Sequence, residues 1–209
     1  MRAETRVAAI LSRCGTAESA MPPTQLYNEG WMLRLVLDWF SGQPPSEHDL
    51  SFESGSRWYS EALLPSRFFA TKRGDSRAEG WTNADAVVGH FQLRSGGRGD
   101  IELVAPAKQL VIVEAKLGSG LSAGVKNAPT FNQAARNVAC LCHLVERGAF
   151  ALSEGIKLGF FVVAPQSRIN EGLFGPLLDL DGPSGIRAVV AGRVHGFAPD
   201  LDRWHEEHF

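Results

Sequence analysis

The sequence predicts an α/β fold in which a mixed sheet is flanked by helices. Three observations predict it. A segment near residues 25–40 carries apolar residues at helical spacing and is followed by three short extended runs. A second helical pattern covers about 130–147. After it comes Lys157–Ala164, a nearly continuous apolar run of strand length, as expected of a central buried strand, ended by Pro165. The order is helix, three-strand meander, helix, strand, and the second helix can act as a right-handed crossover between the last two strands.

Length and composition set the frame. A chain of 209 residues is long enough for one domain with a substantial core, expected over 1–209, with its centre at about 24–164 and a C-terminal extension at 165–209. No apolar run approaches the roughly 18 residues that cross a bilayer. The start, MRAETRVAAILSRCG, is too interrupted for the apolar region of a signal peptide. No membrane contact is therefore expected, and the cytoplasm is the expected compartment. Three cysteines at no disulfide spacing fit a reducing environment. Cys140, Cys142 and His143 lie in an apolar segment with no second ligand pair, so they read as buried helix residues rather than zinc ligands.

The elements follow in order. A short helix is expected near Val7–Arg13. Thr24 is a plausible N-cap for the helix from Gln25 to about Phe40, whose stripe is Leu26, Leu33, Val36, Leu37 and Phe40. Glu29 falls on that stripe; from spacing alone it is a boundary glutamate favoured by the helix dipole. Ser56–Leu64 reads as a short helix ended by Pro65. Lys72, Arg73 and Arg77 lie in a polar run. The first strand is expected within Asn83–Leu93, the second over Asp100–Val104 and the third over Leu110–Ala115, with Ser95–Gly99 as a turn. Leu117–Asn127 is a Gly/Ser-rich loop, and Pro129 suits the first turn of the next helix. The tail holds a helix from Ser167, an ambiguous segment Ile186–Val194 and a polar end.

The net charge of −2 does not announce a polyanion partner, but its distribution is uneven. Residues 55–140 carry eleven basic and seven acidic side chains, whereas both flanking segments are net acidic. The middle of the chain is where a polyanion would be met.

The chemistry concentrates at Gly99–Leu103 and Leu110–Lys116. On the third strand Leu110, Ile112, Glu114 and Lys116 share one face. Pairing Val104 with Leu110 places Asp100 opposite Glu114, with Cβ atoms about 5 Å apart. Two carboxylates at that distance repel unless a cation lies between them, and one or two carboxylates with waters and substrate oxygens suit a magnesium ion. Lys116, on the same face, can orient water or steady charge on phosphorus. Asp85 is the rival to Asp100 and is expected near the far end of the sheet from Glu114; Glu102 is the third choice.

Asp100 with Glu114-Ala115-Lys116 at the end of an apolar strand, in an αβββαβ order, resembles the PD-(D/E)XK nuclease superfamily, the restriction-endonuclease-like fold. Gly99 stands where that family often has proline. The resemblance covers roughly Thr24 to Ala164. It implies that Glu29 joins the metal site from the first helix, and that Gln133, with Arg136 one turn later, serves from the helix after the third strand. It further implies that Asp100, Glu114, the carbonyl of Ala115 and Glu29 hold Mg²⁺ or Mn²⁺. Asp100, Glu114, Lys116, Glu29 and Gln133 are then the catalytic set. Ser119, Ser122, Lys126 and Arg136 are candidate phosphate contacts. The implied partner is nucleic acid, most readily DNA, and many relatives act as homodimers. Two other readings stay open: a nuclease-fold module that binds nucleic acid with little catalysis, and an unrelated α/β enzyme with a coincidental Glu-x-Lys.

Overall fold

The computed structural model describes residues 2–14, 16–19, 21, 28–70, 72–95, 98–148, 155–197 and 201–209. Helix α1 (Ala3–Ser12) comes first, and α2 (Glu29–Ser41) follows, capped by the Asn28 side chain, which accepts from the Trp31 N–H. The predicted cap Thr24 and the first residues of that predicted helix lie outside the described residues. Strands β1 (Arg57–Leu64) and β2 (Thr82–Gly89) lead to a small hairpin of β3 (Phe91–Leu93) and β4 (Ile101–Leu103). Then come β5 (Gln109–Ala115), α3 (Gln133–Arg147) and β6 (Lys157–Val163). The tail folds as α4 (Gln166–Asn170), α5 (Gly175–Leu178), α6 (Ile186–Phe197) and α7 (Asp202–His208). Among the described residues no helix is long and apolar enough to cross a membrane.

The fold is α/β, with a mixed four-stranded sheet in the order β1-β2-β5-β6. Its first three strands are antiparallel neighbours, and β6 runs parallel to β5, joined to it through α3. Three expectations are corrected here. Ser56–Leu64 is not a helix but mostly the edge strand β1. Glu61 breaks its two-residue rhythm with a left-handed backbone, φ 58°, which helps explain why the segment does not read as a strand. The second strand of the expected meander, around Asp100, is not in the main sheet; it pairs with β3 in a separate two-stranded sheet. And β6, predicted to be central, lies at an edge and is only half-buried. Its apolar side chains are covered by helices on both faces, which makes an edge strand look central in sequence.

Gly89 makes the departure into the hairpin possible. Its φ is +148°, and a Cβ there would fall 2.1 Å from the Gln109 carbonyl oxygen. No side chain fits where the hairpin leaves β2 beside the start of β5.

The sheet separates two apolar layers. On one face Leu33 and Leu37 of α2 pack against Ala86, Val88, Val111, Val113 and Ala115. On the other, Leu141, Leu144 and Val145 of α3 pack against Val87, Leu110 and Ile112. The tail covers the far side of α3, where Phe131, Val190, Val194, Phe197 and Trp204 cluster around Phe68. Deleting one such buried leucine side chain typically costs about 2–5 kcal/mol.

Candidate active site

The last paired residues of β2 and β5 are Ala86 and Val113, and one step further along the same register Asp85 faces Glu114. The ladder stops there. Instead, a carboxylate oxygen of Asp85 accepts the Ala115 N–H at 2.8 Å, so the side chain occupies the gap that a backbone bond would close. Antiparallel neighbours bring the beginning of β2 and the end of β5 to the same edge of the sheet.

Glu114 is 2% exposed. One of its oxygens, Oε1, accepts from Lys116 Nζ at 2.8 Å and from the Gln133 side-chain amide. The other, Oε2, is buried with no hydrogen-bond partner. Burial pushes the Glu114 carboxyl up to about 7; the Lys116 bond opposes that, and the facing Asp85 carboxylate adds to it. Lys116 is itself 8% exposed, so this ion pair sits mostly out of water.

Gln133 is the first residue of α3, whose N-terminus is fixed by Asn132 accepting the Ala135 N–H at 2.9 Å. Besides donating to Glu114, the Gln133 side chain accepts the Ser122 N–H at 3.1 Å, and the Gln133 backbone N–H donates to the Ser122 carbonyl at 2.9 Å. Glu29, the first residue of α2, accepts the Leu117 N–H at 2.8 Å and the Ser119 hydroxyl at 3.4 Å. Arg168 of α4 donates to the Gly118 carbonyl at 2.8 Å. Three helices thus hold the loop that leaves β5.

Asp100 is not part of this group, and the expectation that it opposes Glu114 is corrected. It bridges to Leu63 on the outer side of β1, and its carboxylate lies 3.8 Å from Arg94. Strands β1 and β2 stand between it and β5, a span of roughly 14 Å at ordinary strand spacing. The predicted register assumed that the hairpin before residue 109 folds back onto β5, whereas it folds onto β3. Glu102 is exposed and faces Gln92. Asp85 takes the position expected of Asp100. Its signal in the sequence is its place at the start of the apolar run Ala86-Val87-Val88, just as Glu114 ends the run Leu110–Val113. Two acids at opposite chain ends of two buried strands meet if those strands are antiparallel neighbours.

Glu29 also differs from expectation. Among the described residues no three His, Cys, Asp or Glu side chains come together to hold a metal ion. Glu29 braces the loop instead of completing a three-carboxylate cluster. Asp85 and Glu114 remain as a facing pair. Burial raises the Glu114 carboxyl, and its Oε2 is left without a hydrogen-bond partner. Two carboxylates are the donor type that suits a hard divalent cation such as Mg²⁺ or Mn²⁺, and among the described residues no His or Cys joins them as zinc would want. Cys140 and Cys142 are buried, and burial pushes their thiols up to about 12.

No protein-family model, curated protein or solved structure matches the chain.

Proposed function

We propose that this chain is a divalent-metal-dependent nuclease with a restriction-endonuclease-like core, acting most readily on DNA. The order α2–β1–β2–β5–α3–β6 follows the αβββαβ pattern of that fold, with β3–β4 as an insertion after β2. One observation carries the reading: a buried carboxylate, Glu114, faces Asp85 at the end of a strand pair, with Lys116 on the same face.

Asp85, Glu114 and the carbonyl of Ala115 would hold the cation. Bound there, it would stabilise charge on a phosphoryl oxygen and lower the pKa of water beside the phosphorus. The protein's own groups do the rest. Gln133 and Lys116 fix the rotamer of Glu114, and the Ala115 N–H fixes Asp85, so neither acid has to be reoriented during reaction. The Lys116 ammonium places positive charge where the phosphorane-like transition state accumulates negative charge. Glu29 holds the loop bearing Ser119 in place. Ser119, Ser122, Lys126 and Arg136 would contact the phosphate backbone.

A second reading has one observation in its favour. Among the described residues no third carboxylate joins the pair, which suits a module that binds nucleic acid without cutting it. Cleavage of single-stranded, duplex and branched DNA and of RNA, with Mg²⁺ or Mn²⁺, decides between them. Lys116→Ala is expected to lower the rate about 100-fold or more. Binding without cleavage of any substrate by the parent chain would establish the module instead, and equal rates for parent and variant would remove Lys116 from the chemistry.

A further inference from the structure

A cleft of about 330 Å³ at the start of β2 has no role so far; Glu79, Trp81, Thr82, Lys126, Asn127 and Arg136 are among its walls. The elements that build the centre also place it. Thr82 begins β2, three residues before Asp85. Arg136 stands one turn after Gln133 on α3. Lys126 lies in the loop that Gln133 ties down at Ser122. Three strand residues span about 10 Å, so one short length of polymer reaches from centre to cleft.

Three properties narrow what fits. The first is aromatic. Trp81 keeps 44% of its surface exposed, and Phe69 meets its ring edge-on, with centroids 5.6 Å apart and planes at 71°. That contact holds the indole while leaving much of its surface open. The second is charge. Among the described residues neither Lys126 nor Arg136 enters an ion pair, and Arg136 Nε is buried without a hydrogen-bond partner. The acid nearby, Glu79, is bound through Oε1 to Arg193 at 2.9 Å, while its Oε2 is buried without a hydrogen-bond partner and Arg136 attracts the carboxylate without pairing with it. Two unpaired cations against one paired acid leave the cleft net positive. The third is size, which lies within the range of about 300–1,000 Å³ typical of small-molecule sites. An open aromatic ring beside unpaired cations suits a ligand with a π-face and an anionic group, and a nucleotide has both.

We propose that this cleft receives one unpaired nucleotide of the substrate strand, its base stacked on Trp81 and its phosphate held by Arg136 and Lys126. The inference rests on the nuclease reading and narrows it. A base inside a continuous duplex reaches an indole only by leaving its stack, so the substrate is a single strand or carries a single-stranded end.

The test separates binding from cleavage. Fluorescence anisotropy in EDTA compares an unstructured oligothymidylate with a blunt hairpin duplex, using the parent chain, Trp81→Ala and Trp81→Phe. Trp81→Ala is expected to weaken single-strand binding about tenfold, Trp81→Phe to recover most of it, and the duplex to be unaffected. Equal losses on both ligands, or no loss on either, would overturn the proposal. Should Trp81→Ala not fold, the quenching of intrinsic fluorescence by oligothymidylate reads the same contact: it is expected to diminish in Trp81→Phe, and unchanged quenching would count against the cleft. Strand binding that depends on Trp81 in a parent that cleaves nothing keeps the cleft and removes the catalysis. Cleavage of blunt duplex as fast as single strand, unchanged by Trp81→Ala, does the reverse.

Discussion

Among the described residues, the β3–β4 hairpin and the end of β2 and β5 each bring an aspartate and a glutamate close to β-structure, and they behave in opposite ways. At the β3–β4 hairpin, Asp100 lies near Arg94 and Glu102 is exposed beside Gln92. Water solvates Glu102, and Asp100, whose side chain is 13% exposed, has the Arg94 guanidinium beside it. At the end of β2 and β5, Asp85 and Glu114 face one another, Glu114 is buried, and one of its oxygens has no partner. Residue type is the same in both places. What differs is burial and the unmatched charge that burial creates, and only the second arrangement gains from a cation.

The largest expected effect tests that contrast directly. Asp85→Asn or Glu114→Gln should lower metal-dependent cleavage by about 100-fold or more, while Asp100→Asn leaves the rate within about twofold. Initial rates at saturating Mn²⁺ measure this, and a large loss in Asp100→Asn would return the centre to the hairpin.

A smaller effect concerns stability and pH. The Glu114 carboxyl titrates at about 7 in the folded protein against 4.5 in its absence. The folded pKa is raised, so the stability associated with the protonated acid is full below about 4.5 and is lost as pH rises through about 7. The loss is on the order of 3 kcal/mol at most. Urea titrations in EDTA at pH 5 and 8 should show it, Glu114→Gln should flatten it, and Mg²⁺ should restore stability at pH 8 more than at pH 5. A parent curve as flat as that of Glu114→Gln would mean the acid is not strained by burial.

The smallest effect belongs to the hairpin. Arg94 is 46% exposed on its side chain and sits 3.8 Å from Asp100, so Arg94→Ala should cost no more than about 1 kcal/mol in a denaturant titration.

The helices α2 and α3, the strands β5 and β6, and the Glu114–Lys116 step were legible because each rests on local signals, periodicity or a two-residue step along one strand. Gln133, by contrast, was suggested only by the family resemblance, and the caps Asn28 and Asn132 were not read. The partner of Glu114 was not legible, because it depends on which strand lies beside β5. Sequence proximity favours a hairpin from residues 100–104, and only the backbone freedom of Gly89 allows the chain to set that hairpin aside and return to β2. Strand β1 was hidden for a related reason: the left-handed turn at Glu61 lies where β1 would pair with Asp85. Such a backbone costs about 1–3 kcal/mol. It interrupts the strand pattern beside the acids, where a regular ladder would otherwise close over them.

The loop after β5 is tied at Leu117 by α2, at Ser122 by α3 and at Gly118 by α4. These anchors come from early, middle and late parts of the chain. During synthesis the first anchor is made long before the last, because Arg168 emerges only after β6 has been built. The carboxylates thus acquire their fully braced surroundings late in the life of the nascent chain. A chain stopped short of α4 would carry both acids and yet lack one of the three ties on the loop beside them.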